Sequence, residues 1–194
     1  PHVPAVRLGL RLIAGLRGGS AARIVEARAE RPFDSAEELA RRAGLEQHEM
    51  KLLAAADALM SLSGHRRQQV WDAAAFHAPP EMLRDAPVDE ELLELAEALE
   101  GEEIVWDYAS TGLTLRRHPL ALLRSRLAAK RFLSSSELQN LPNGTLVRVC
   151  GLVTLRQQPE TAKGTVFVSL EDEGGAVQVI VWKRVRERQR KELL

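Results

Sequence analysis

Cysteine and aromatic residues are scarce in this chain. Of 194 residues one is Cys, one Tyr, three are Trp and four Phe. The lone Cys150 excludes an internal disulfide framework and any zinc site built on cysteine. No apolar run approaches the ~18–20 residues of a membrane helix, and no basic-then-apolar leader opens the chain. The five histidines, His2, His48, His65, His77 and His118, are scattered without a His-x-x-x-His pair, which argues against a metal centre. Neither a Gly-x-Ser-x-Gly elbow nor a phosphate-loop lysine motif occurs. The dense acids at Glu171-Asp172-Glu173 sit in a turn, not in a converging pair that would hold two metals. These absences predict a soluble, cytoplasmic chain with no catalytic or metal-binding residues of its own. The first residue is Pro1 rather than Met, which predicts a piece of something longer.

What is present is an ordinary globular share of apolar residues, 45%, with 28% charged, at a length that allows one large domain or two small ones. A formal net charge of zero hides segregation. Residues 1–80 hold 11 basic and 9 acidic side chains, residues 81–115 hold 1 and 11, and residues 116–194 hold 15 and 7. Charge in blocks speaks to partners. Arg supplies 22 of the 27 basic residues. Its planar fork suits phosphate, though heavy Arg and Ala usage also follows from genome base composition.

Residues 1–76 read as an all-α block of four or five short helices. Leu8, Leu12, Ile13 and Leu16 lead into a glycine-rich turn, and Ser20 is expected to cap a run through Arg28. Ser35 and Glu38 have capping-box spacing, with Gly44 as the stop. A fourth helix is expected over Gln47–Ala56 with Leu52 and Leu53 inward. A fifth runs from His65 to about Phe76 and is expected to bury Val70 and Trp71. Residues 77–103 read as an acidic linker with one helix, Val88–Glu100, after Pro79, Pro80 and Pro87. Residues 104–140 form a connecting helical segment in which His118-Pro119 opens a basic helix to about Arg131. From 141 to 194 the period alternates. One strand is expected over Leu146–Val153, a second over Val166–Leu170 and a third over Val177–Trp182, with a hairpin turn at Gly174-Gly175 and a basic helix Arg184–Lys191. Three strands leave an open edge, as in the first part of a barrel.

Two stretches invite a ligand. Gly15, Leu16, Arg17, Gly18, Gly19 and Ser20 form a turn between short helices, with Arg23 one turn further on. Such a turn offers backbone N–H groups and a positive helix end to a phosphate. It equally suits a plain helix–helix turn with a C-cap glycine. In the β segment, Arg148, Arg156, Lys163, Phe167, Trp182 and Lys183 mix charge with aromatic surface, as oligonucleotide-binding sheets do for single strands. Alternation puts Phe167 and Trp182 opposite the valines. They either stack on bases or complete a core.

The ordered series Val6-Arg7-Leu8-Gly9-Leu10, Ile13-Ala14-Gly15-Leu16, Ile24-Val25-Glu26-Ala27-Arg28, Pro32-Phe33-Asp34-Ser35, Ala56-Asp57-Ala58-Leu59 and Gly64-His65-Arg66-Arg67 resembles the C-terminal region of bacterial C-family DNA polymerases. Asp107-Tyr108, Ser110-Thr111-Gly112-Leu113 and His118-Pro119-Leu120 are similar to the error-prone branch, whose members act in mutagenic repair. Val147-Arg148-Val149, Thr161-Ala162-Lys163-Gly164, Phe167-Val168-Ser169-Leu170-Glu171-Asp172-Glu173 and Val181-Trp182 extend the likeness over nearly the whole chain.

The resemblance implies an α+β multidomain chain: a tandem helix-hairpin-helix region that grips duplex backbone, a linker, and a partial oligonucleotide-binding (OB-fold) β-barrel near single-stranded template. It implies a sequence-independent DNA-binding fragment of a translesion polymerase, with Arg66 and Arg67 adding charge. The catalytic domain and its Mg2+ would lie before Pro1, so no cofactor is assigned here. Family hairpins carry glycine where Arg17 stands, and Gly18 and Gly19 shift the turn by a residue. Residues 77–87 hold nothing like the clamp motif Gln-x-x-Leu-Phe, so no direct sliding-clamp contact is expected there, and accessory proteins of the mutagenesis cassette are the implied recruiters. Two other readings remain: a protein-interaction module resting on residues 81–107, and an RNA-binding barrel resting on residues 145–194.

Overall fold

Residues 7–76 and 93–193 are described by the computed structural model, and they divide into two compact units, one running to Leu115 and the other starting at Arg116. The division falls inside the stretch expected as a connecting segment. Of the expected linker, residues 77–92, including the first five residues of the helix placed at Val88–Glu100, lie outside the described residues.

In the first unit a 3-10 turn at Leu10–Leu12 precedes α1 (Gly18–Glu30), α2 (Ala36–Arg42), α3 (Gln47–Ala55), α4 (Met60–Ser63), α5 (Arg66–Ala75) and α6 (Glu100–Thr111). Local signals set most ends. The Ser35 hydroxyl accepts the Glu38 N–H at 3.1 Å, and Gly44, at φ +58°, follows the end of α2. Arg23 donates from Nε to the Ala43 carbonyl at 2.7 Å and from Nη2 to that of Gly44 at 3.1 Å, closing the C-terminus of α2. Arg42 does the same for α1 through the carbonyls of Ala27 and Arg31, with its guanidinium 4.8 Å from the Phe33 ring centre. Apolar side chains at helical spacing, Ile24 and Ala27 of α1, Leu39 and Ala40 of α2, and Met50, Leu53 and Ala54 of α3, then share one core.

Three expectations change here. Ser20 does not cap α1; the helix starts three residues earlier than expected, with Arg17 at the cap position and Ser20 buried in the first turn. Val70 and Trp71 are not buried but 43% and 51% exposed, because α5 turns its Arg66, Gln69 and Ala73 stripe inward instead. Gln69 is satisfied there: its Nε2 donates to Asp57 Oδ1 and the Gly64 carbonyl, both at 2.7 Å, and its Oε1 accepts from Leu59 N–H at 3.1 Å. Residues 93–99 are not helical; the helix begins at Glu100, where the expected one ends. Glu100, Glu102 and Glu103 fill its first turn, where carboxylates complement the helix dipole, and Glu102 Oε2 accepts the Leu99 N–H at 3.0 Å.

The second unit opens with α7 (Pro119–Ala129), where Pro119 is pre-set for the first turn and His118 Nδ1 accepts the Leu120 N–H at 3.2 Å. Then come β1 (Phe132–Leu133), α8 (Ser135–Leu138), β2 (Arg148–Val149), β3 (Leu152–Gln157), β4 (Val166–Asp172), β5 (Gly175–Val181), α9 (Lys183–Arg188) and α10 (Arg190–Leu193). β1 and β2 pair in parallel, and β3, β4 and β5 form an antiparallel meander with β4 in the middle. The expected first strand is broken in two around Gly151. A Cβ on that glycine would lie 2.7 Å from Leu170 Cβ and 3.0 Å from the Glu171 backbone nitrogen, so the chain crosses β4 too closely for a side chain. The expected basic helix is likewise split at Gln189, and Trp182 caps α9 rather than ending β5.

In the meander Val166, Val168 and Leu170 face Val181, Val179 and Val177, while Phe167 faces Ile180 and Ser169 faces Gln178. Val166 and Val168 are buried. The tight turn Glu173-Gly174 joins β4 to β5 and is pinned from outside. Asp172 accepts the Ser135 N–H at 2.7 Å, the Ser135 hydroxyl and the Gly174 N–H at 2.8 Å. Arg124 of α7 reaches Asp172 at 3.3 Å and Glu173 at 2.9 Å.

Candidate nucleic-acid interface

The glycine turn is built by an abrupt helix start. Gly15, at φ +82°, reverses the chain in a conformation that costs other L-residues, and Leu16 packs its side chain on the core. Arg17 is extended at the cap position and makes no side-chain capping bond. The first three N–H groups of α1, from Gly18, Gly19 and Ser20, therefore have no capping side chain, and the first backbone bond is Ala21 N–H to the Arg17 carbonyl at 3.1 Å. A Cβ at Gly18 or Gly19 would meet nothing within 4 Å, and neither residue has a positive φ. The fold does not need glycine at these two positions. A bare, positive helix start facing open space is what a phosphate oxygen fits.

Other predicted partners of this turn are engaged within the protein. The Ser20 hydroxyl donates to Glu49 Oε1, whose other oxygen accepts the Glu46 N–H at 2.9 Å. The Ser20 bond holds the Glu49 carboxyl below the usual carboxylate range, with burial opposing and the Glu46 N–H, Arg23 and Arg17 assisting. Arg23 caps α2, as described. Arg66 is not a surface cation: only 2% of its side chain is exposed. It contacts Glu103 Oε2 at 3.3 Å and Asp107 Oδ1, donates to the Glu103 carbonyl at 3.1 Å, and lies 5.9 Å from the Trp106 ring centre. Arg67 is 38% exposed and paired with Glu102 at 2.8 Å. No local signal marks Arg66 as buried, because its hydrogen-bond partners lie 37 and 41 residues away.

The β-segment candidates separate into groups. Phe167, half-buried, and Trp182, 63% exposed, belong to a face that also shows Leu155 and Ile180, which the same alternation could have named. Arg156 pairs with Val168 and so lies on the opposite face, and Arg148 sits in the other sheet. Lys163 stands at φ +48° in the β3–β4 loop. The next residue, Gly164, packs on the stem of Lys183, whose Cδ would be 3.4 Å from a Cβ there. Arg186, which donates to Gln158 Oε1 at 2.8 Å, joins Lys163 and Lys183 and was missed in the helical charge pattern. The described residues contain no group of three or more His, Cys, Asp or Glu able to hold a metal.

Two comparisons bear on this geometry. The helix-hairpin-helix motif family matches residues 2–69, the stretch that contains the glycine turn. Proteins called error-prone DNA polymerase from Ralstonia nicotianae and Aromatoleum aromaticum are each 53% identical to the chain over 98% of its length, and one from Methylococcus capsulatus is 44% identical. The chain spans 18% of the length of each of these relatives. Over 98% of its length the chain is homologous to part of the bacterial proteins called error-prone DNA polymerase, and its first unit carries a helix-hairpin-helix motif.

Proposed function

We propose that this chain is the DNA-gripping C-terminal part of a polymerase that acts in translesion synthesis, holding DNA without reading its sequence. The observation that carries the reading is the start of α1: uncapped N–H groups at two glycines that the fold does not require. Backbone amides at a helix start contact phosphate and are blind to base identity. Arg17 and the exposed Lys163 and Lys183 supply counter-charge, and the Leu155, Phe167, Ile180 and Trp182 face supplies a surface for unstacked bases. Nucleotidyl transfer and its Mg2+ would belong to another part of the polymerase.

Anisotropy of labelled primer–template and single-stranded DNA across a salt series tests this. Affinity should fall steeply with salt, differ little between sequences, and weaken with Arg17→Glu. Binding that ignores salt, or that follows sequence, contradicts it.

Docking of accessory mutagenesis proteins on the acidic block is the second reading. Part of that block is already used, since Glu102, Glu103 and Asp107 pair with Arg67 and Arg66. Deleting 81–107 would strand a buried guanidinium, so the test of partner binding removes 81–92 alone, with melting beside it to check that the first unit still folds.

A further inference from the structure

The buried arginine of α5 and the glycine turn are joined through α6. Arg66 holds Glu103 and Asp107 on one side of that helix, with Thr114 Oγ1 donating to the other Asp107 oxygen at 2.6 Å. One turn beyond Asp107, the Ser110 carbonyl accepts the Ala14 N–H at 2.8 Å. Ala14 is the residue before Gly15. Among the described residues, the other backbone hydrogen bonds of 9–17 are local ones, Leu12 to Gly9, Ile13 to Leu10, Leu16 to Ile13 and Ala21 to Arg17. Beside the packing of Ile13 and Leu16 on the core, the turn is thus tied by hydrogen bond to a helix that Arg66 fixes in place.

We propose that Arg66 and Asp107 are positioning residues for the glycine turn: they act through α6 and the Ser110–Ala14 bond, and Arg66 does not itself meet DNA. This rests on the reading of the turn as the DNA grip. A buried guanidinium bonded to several acceptors resists displacement, because removing one partner leaves an uncompensated charge. The price of a shifted α6 is a shifted Ala14 amide, and a phosphate site tolerates little misplacement of its donors.

The test uses the 194-residue chain and three variants, Asp107→Asn, Arg66→Lys and the double. Asp107→Asn removes a negative charge, so long-range electrostatics alone would leave DNA affinity equal or higher. Positioning predicts the opposite, a loss of roughly five- to tenfold with the slope of log affinity against log salt unchanged. Arg66→Lys keeps the charge and should lose as much. The double variant should lose no more than either single change, because both break one link. Unchanged or tighter binding by Asp107→Asn, or wild-type affinity in Arg66→Lys, overturns the proposal.

Hydrogen exchange gives a readout that needs no variant. In the unsubstituted chain the Ala14 amide should open together with α6 amides such as Tyr108 and not with those of α1, and exchange in step with α1 overturns the link. If the chain binds no DNA at any salt, the grip reading fails while the exchange result still decides whether α6 holds the turn.

Discussion

Ser20 shows how a side chain that looks available can be committed elsewhere. Its hydroxyl is buried against Glu49, and that bond joins the first turn of α1 to the capping residues of α3. Ser20→Ala should therefore cost about 1 kcal/mol of stability and leave the salt dependence of DNA binding unchanged, checked by denaturant melts beside anisotropy. The acid side carries a second signature. Glu49 is depressed in the folded state, so its contribution is present above its unfolded value and lost as pH falls through the folded one. Ser20→Ala should shrink that acid-side loss. If Ser20→Ala weakens DNA binding without affecting stability, the hydroxyl faces DNA after all.

At the scale of elements, the hairpin of β4 and β5 is held as much by α7 and α8 as by its own turn. Arg124 holds Glu173 below the ordinary range, with burial opposing. Burial pushes Asp172 up, but the bonds from Ser135 and Gly174 and the charge of Arg124 outweigh it and leave its carboxyl low. Both groups are depressed on folding, so the second unit should hold its melting temperature above about pH 5 and lose it as pH falls below the ordinary carboxylate range. Arg124→Met should lower stability by about 1–2 kcal/mol at neutral pH and flatten that acid slope, read by melting between pH 3 and 7. An equal acid slope in wild type and variant would show that other carboxylates set it. In the sequence the same arginine reads only as part of the basic helix that His118-Pro119 opens.

For the whole molecule, the order of parts was written in the sequence, and its internal ties were not. Ser35 with Glu38, His118 with Pro119 and the alternation of Val166–Leu170 are local signals, and the elements stand where they point. The helix-hairpin-helix match and the polymerase relatives agree with motifs legible at Ile13–Leu16 and Gly64–Arg67. What stayed hidden depends on distant partners. Arg66 reads as surface charge until Asp107 is brought to it, and Val70 and Trp71 read as core until α5 turns Gln69 inward. The division of the acidic block at α6 follows from the same contacts. The glycine turn is legible as a turn, while the open space beside Gly18 and Gly19 is set by how the rest of the unit folds around it.

The most direct measurement is a double substitution, Gly18→Ala with Gly19→Ala, followed by melting and by primer–template anisotropy on the same samples. Both sites accept a Cβ without contact, and alanine favours helix over glycine, so the melting temperature should hold or rise. A methyl group over the uncapped N–H groups keeps a phosphate away, so DNA affinity should fall by about tenfold or more. Full affinity in a stable double variant would contradict the phosphate grip, and a large loss of stability would mean that the glycines serve the fold.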